Sequence, residues 1–274
     1  MNLNDYRDRP HWSYSSLNQL LSVCSLAWRF SHIDQLPRQF TPVSLIMGSA
    51  YHRVMEFIAM HRLEGRLPMP AKTRDLFHTL WEREQKEGPP MEKTDETPEQ
   101  LAEQGAGLVA AYLQQVDPRE KIIEINQAFA VPVGNSERPL IGEIDCVIEG
   151  ADSQTVLVDW KTSARRWSKD QADKSLQPTA YLYAYGQLKP GCTDKFRFDV
   201  AVKNKTPVVE LNHTSRTPDD FLRLERLVDA ADRFVQNELF YPCDQSFACA
   251  GCQYAEPCKA WHRQAARTTV NLAA

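Results

Sequence analysis

No run of about 18 or more apolar residues occurs in these 274, and the leading MNLNDYRDRPHW lacks the basic-then-apolar pattern of a secretion signal. The expectation is a cytoplasmic protein with no membrane partner. Internal repeats and low-complexity tracts are also missing. No G-x4-G-K-[ST] phosphate loop is present, so unwinding of any duplex must come from a partner. A positive charge balance is lacking too, the net charge being −4. That figure does not exclude a nucleic-acid partner: residues 82–103 hold eight acids against three bases, a local −5 that leaves the remainder at +1.

What the chain does have is seven cysteines, an odd number that argues against a disulfide framework where no export signal exists. Cys249, Cys252 and Cys258 form a compact C-x2-C-x5-C cluster, and Cys24 stands far upstream. Four thiolates suit a cubane iron–sulfur cluster or a zinc ion. The five-residue second gap exceeds usual zinc-knuckle spacing, so the expectation is a [4Fe–4S] cluster, with Zn²⁺ as the alternative. Either would staple residue 24 to the C-terminal region across a very long loop. Cys243 is a rival ligand; Cys146 and Cys192 read as core or loop thiols.

Length and a 42% hydrophobic content fit one domain over 1–274. Its parts read as a mainly helical region over 13–118, an α/β core over 119–240, a cysteine cluster over 241–262 and a tail over 263–274. Leu17, Leu20, Leu21, Cys24 and Trp28 recur at helical spacing, predicting one amphipathic helix from which Cys24 projects. Further helices are expected over 43–62, 72–87 and 98–115, the last opened by the capping box Thr97-Pro98-Glu99-Gln100. From Lys121 the texture changes to β-branched runs, IIEINQAFAVPV, PLIGEIDCVIEG and TVLVDWKT. A helix over 176–188, a second hairpin (KFRFDVAVKN with PVVELNHT) and a long helix from Thr217 to near Asn237 complete an α/β fold with a mixed sheet. Residues 265–274 carry little pattern and read as disordered.

Chemistry concentrates between Gly142 and Lys161. Gly150-Ala151-Asp152-Ser153 supplies a turn, which sets the residue-number sum of paired positions near 303 or 304. At 304, Asp145 faces Asp159 directly. Strand alternation puts Asp159 and Lys161 on one face and Trp160 on the other. Two adjacent carboxylates repel unless a cation joins them, and their hard oxygens suit Mg²⁺ or Mn²⁺, with the Trp160 carbonyl as a further ligand. Such a metal polarises a phosphate and activates water, and Lys161 would orient that water or stabilise charge on phosphorus.

These residues resemble the PD-(D/E)XK nuclease superfamily, specifically its RecB-like exonuclease branch. The matching segments are Gly142-Glu143-Ile144-Asp145, Val158-Asp159-Trp160-Lys161-Thr162, the stretch from Gly48 to His52, and the Gln177-x-x-x-Tyr181 pair. With the four cysteines, the resemblance runs from about Ser13 to Cys258. It is similar to the iron–sulfur nuclease domains of AddB-type helicase–nucleases and to the exonucleases of CRISPR adaptation. The resemblance implies a restriction-endonuclease-like core, a central mixed β-sheet flanked by helices with an N-terminal helical region. It implies His52, Asp145 and Asp159 as metal ligands, Lys161 as the catalytic lysine, and Gln177 and Tyr181 as groups that position the lysine and the DNA backbone. Trp160 stands where tyrosine is more usual, and Pro178 forces its helix to begin close to Gln177.

The expected activity is metal-dependent exonucleolytic hydrolysis of single-stranded DNA or duplex ends, in repair, recombination or phage- and CRISPR-related processing. A helicase or recombination protein is the expected protein partner. The alternative is a DNA-binding or assembly subunit of a helicase–nuclease complex. Arg165, Arg166, Lys169 and Lys174 offer phosphate contacts, or are an ordinary charged loop. Glu56, one turn after His52, reads as a solvated partner outside the catalytic set.

Overall fold

A computed structural model describes residues 3–244 and 247–272. Five strands form one mixed sheet in the order β1 (Lys121–Val131), β2 (Leu140–Glu149), β3 (Thr155–Ser163), β4 (Lys195–Val202), β5 (Val208–Ser215). Neighbours are antiparallel except β3 and β4, which run parallel. A parallel pair needs a crossover. Here it is made by α7 (Gln171–Lys174) and α8 (Leu176–Leu188), so α8 returns across the sheet beside β3.

The sheet is covered on both faces, which explains why its central strands are apolar on both sides. On β3, Val156, Val158 and Trp160 pack with α4 (Val43–Leu63), α5 (Pro70–Lys86) and α6 (Pro98–Gln115). Leu157 faces the other core. That core also holds side chains of α8 and α9 (Pro218–Gln236), together with an N-terminal layer. That layer comprises α2 (Tyr14–Asn18) and α3 (Ser25–His32); the short α1 (Asn4–Arg7) before it buries no residue. The capping box at Thr97 forms as read: the Gln100 amide donates to Thr97 Oγ1 at 3.3 Å and the Thr97 amide to Gln100 Oε1 at 2.8 Å. No helix among the described residues is long and apolar enough to cross a membrane.

Two expectations need correction. The segment around Cys24 is not one helix. A π-turn (Gln19–Val23) ends in the Cys24 amide donating to the Gln19 carbonyl at 2.9 Å. Cys24 itself is extended, at φ −165° and ψ 115°, and α3 starts after it. The extra residue of a π-turn lets Leu20 and Leu26 both stay buried while the backbone breaks between them, so side-chain periodicity conceals the break. The tail also differs: α10 (Ala255–Leu272) carries the backbone helix through most of the stretch read as disordered. Its Ala-Ala-Arg start continues a helix already nucleated upstream, which costs little. Residues 273 and 274 of that stretch lie outside the described residues.

Candidate active site

The β2–β3 hairpin positions the acids. Cys146 pairs with Val158 and Val147 with Leu157, the 304 register. The turn is closed by Gly150 N–H to the Gln154 carbonyl (2.8 Å) and Ser153 N–H to the Gly150 carbonyl (2.9 Å). One step beyond the last pair, Asp145 and Asp159 stand opposite each other. There the regular ladder gives way, and the Trp160 amide donates to Asp145 Oδ2 at 2.9 Å. That bond fixes one carboxylate by the backbone of the strand that carries the other.

His52 enters from α4, its Nδ1 3.4 Å from Asp145 Oδ2 and its ring edge-on to Trp160 with centroids 6.3 Å apart. Trp160 turns its indole to the opposite face, where its N–H donates to the Tyr112 hydroxyl at 3.2 Å. Lys161 Nζ lies 2.6 Å from Asp159 Oδ2 and 5.9 Å from the centre of the Phe198 ring. Gln177 donates from Nε2 to Asp159 Oδ1. Pro178 sits in the first turn of α8, Ser175 Oγ accepts from the Gln177 amide at 3.3 Å, and the glutamine still reaches the site. Tyr181, one turn on, packs edge-on against Phe129 and Phe196 at 5.5 and 6.2 Å.

Burial and mutual charge separate the two acids. Burial pushes Asp159 up to about 6; Asp145 adds to this, while Lys161 and His52 oppose it. Burial acts the same way on Asp145, but His52, Lys161 and the Trp160 amide outweigh it and hold that carboxyl below its ordinary value. Burial alone would lower His52 and Lys161. The carboxylates beside them raise both instead. Asp159 is 2% exposed, and its Oδ2 accepts no well-directed hydrogen bond, facing only the ammonium. Two carboxylates, one of them with an under-coordinated oxygen, and an imidazole form a donor set that fits a hard divalent cation.

The site has members that the motif reading passed over. Glu143 lies two residues before Asp145, and its carboxyl is raised by burial and by Glu56 and Asp145. Glu56 thus stands within electrostatic reach of the acid pair's border. Its i+4 spacing from His52 was the available signal. The basic loop residues Arg165, Arg166, Lys169 and Lys174 are exposed; Arg166 pairs with Glu210 at 2.5 Å and Lys174 pairs with Asp170.

The cysteines converge elsewhere. Cys24, Cys243, Cys249, Cys252 and Cys258 line one cavity of about 390 Å³, and none of the seven is in a disulfide. Cys249 Sγ donates to the Cys243 carbonyl at 3.2 Å, and the Tyr254 amide donates to Cys252 Sγ at 3.4 Å. Burial raises the Cys258 thiol, as do the neighbouring Cys24, Asp244, Cys252 and Cys249. Asp244 and His262, which the sequence reading did not single out, border the same cavity. With Cys258 they place three ligand-type atoms within 4.8 Å of one another. The signal was the i+4 spacing of Cys258 and His262 on a helix.

A five-stranded mixed sheet flanked by helices, with an acid pair and a lysine on its central hairpin, defines a restriction-endonuclease-like nuclease fold. Residues 11–259 match the model of the PD-(D/E)XK nuclease superfamily, and the chain belongs to that superfamily. Members typically use divalent metals such as Mg²⁺. A solved structure of a candidate exonuclease from Eubacterium rectale is similar at TM-score 0.55 and 13% identity, over 92% of each chain, a likeness of fold. A second, SSO0001, aligns over 90% of this chain and 95% of its own at 12% identity and a TM-score of 0.39. No curated protein matches the chain.

Proposed function

We propose that the chain is a divalent-metal-dependent exonuclease of the RecB-like type, acting on single-stranded DNA or duplex ends. The observation that carries this reading is the convergence of His52, Asp145, Asp159 and Lys161 from a helix and two strands within contact distances of 3.4 and 2.6 Å. His52, Asp145 and Asp159 hold Mg²⁺ or Mn²⁺, with the Trp160 carbonyl as a further oxygen donor. A metal held there would supply Lewis acidity toward a phosphate and an activated water. Lys161, held beside Asp159, would place its positive charge where negative charge develops on phosphorus. Gln177 fixes the Asp159 carboxylate from the side away from the lysine, and Tyr181 stacks the α8 wall against Phe129 and Phe196. Labelled DNA incubated with purified protein should be degraded only when Mg²⁺ or Mn²⁺ is present. Binding without metal-dependent degradation would instead indicate a DNA-presenting subunit of a larger helicase–nuclease assembly.

The cysteine cavity is read as a structural [4Fe–4S] site held by Cys24, Cys249, Cys252 and Cys258. Phosphodiester hydrolysis moves no electrons, so the cluster's role is to join distant segments. Anaerobically purified protein should be brown, with about four irons per chain; zinc by elemental analysis would replace the cofactor and keep the staple.

A further inference from the structure

Residues 3–15 belong to neither metal site, yet they are tied down beside the acid pair. Leu3 is buried, and Trp12 is fully so. The Trp12 amide donates to the Pro139 carbonyl at 2.9 Å, and the Ile141 amide donates to the Trp12 carbonyl at 2.8 Å, a parallel bridge onto the start of β2. Its indole N–H reaches Asp232 Oδ1 at 3.0 Å, and the Arg138 guanidinium lies over its ring at 5.1 Å. The flanking residues Arg7, His11 and Tyr14 line a cleft of about 440 Å³. Lys161, Gln177 and Tyr181 line the same cleft.

We infer that this cleft is a subsite for the nucleotide adjoining the scissile phosphate of a single DNA strand, with Arg7 and His11 contacting its phosphate and Tyr14 stacking on its base. The inference rests on the nuclease reading and adds which residues bind the strand. Guanidinium and imidazole groups are phosphate donors, and a half-buried aromatic ring is a stacking platform for any base. The cleft lies in the size range of pockets for nucleotide-sized ligands. Among the described lining residues Glu143 is the one carboxylate, and it stands within electrostatic reach of Arg7.

The test is fluorescence anisotropy with labelled (dT)12 in Ca²⁺, which needs no turnover. Arg7→Ala and Tyr14→Leu should each weaken binding about tenfold without changing the melting temperature, whereas Tyr14→Phe, which keeps the ring, should bind like the parent. Equal binding by the parent, Arg7→Ala and Tyr14→Leu would overturn the subsite, as would equal losses in Tyr14→Phe and Tyr14→Leu. A parent chain that binds (dT)12 with this pattern but never degrades it with Mn²⁺ would sink the nuclease reading and leave the subsite standing.

Discussion

Asp159 is a buried carboxyl next to a second carboxyl, and its pKa of about 6 follows from that placement. A folded-state value above the unfolded one, near 3.9, means that ionisation is penalised in the metal-free fold. The contribution is least harmful below pH 4 and reaches its full cost, on the order of 3 kcal/mol at most, above pH 6. In EDTA, the urea midpoint should therefore fall more between pH 5 and pH 7.5 in the parent than in Asp159→Asn. Metal binding has the opposite preference because it needs the ionised form. Mn²⁺ affinity followed by thermal shift should weaken about tenfold per pH unit below pH 6, and a flat profile from pH 5 to 7.5 would remove Asp159 from the ligand set.

At the scale of elements, two positions explain how the site's frame is held. Gly105 lies where α6 meets α5 and α4: a Cβ there would sit 2.0 Å from Phe77 Cζ and 2.7 Å from Met47 Sδ. The Phe77 ring and the Met47 thioether are both fully buried, so Gly105→Ala should destabilise by about 1–3 kcal/mol in urea titrations. Arg216, buried just after β5, donates to the Ala172, Asp173 and Ser175 carbonyls at 3.1, 3.2 and 2.8 Å and to Thr179 Oγ1 at 2.8 Å. It thereby locks the corner from which α8 presents Gln177. Arg216→Ala strands those acceptors and should cost about 3 kcal/mol, with kcat falling more than KM rises as Gln177 loses its hold on Asp159. Helix limits at Thr97 and Thr217, and the β2–β3 register to within one residue, were legible because caps and turns are local chemistry. The break at Cys24 was not, since a π-turn shifts the backbone while the apolar spacing of Leu20, Leu26 and Trp28 still reads as helical. Arg216 gave no signal either: its partners lie up to 44 residues away, and no local pattern marks a long-range clamp.

Across the whole molecule, the two ends of the fold meet at the cysteine cavity. Ser25 Oγ donates to the Tyr241 carbonyl at 3.0 Å, the Leu26 amide joins it at 3.1 Å, and Gln253 donates to the Phe40 carbonyl at 2.7 Å. These bonds dock the start of α3 against the C-terminal segment, and a cluster on Cys24, Cys249, Cys252 and Cys258 would lock the dock. Cys252→Ser should bleach the brown colour, lower the melting temperature and reduce DNA degradation indirectly. Cys192→Ser, in an exposed turn, should change none of these. The acid–lysine constellation was visible in sequence because a hairpin and a strand alternation bring nearby residues together. The wall built by Arg7, His11 and Tyr14 was not, because it depends on Trp12 bridging to Leu140 across more than a hundred residues of chain. One paired measurement tests the roles within the acid–lysine site most directly: Mn²⁺ binding and single-stranded DNA degradation in Asp159→Ala and Lys161→Ala side by side. The expected result is loss of degradation in both, with Mn²⁺ binding lost in Asp159→Ala and retained in Lys161→Ala. Full degradation by either variant would contradict it.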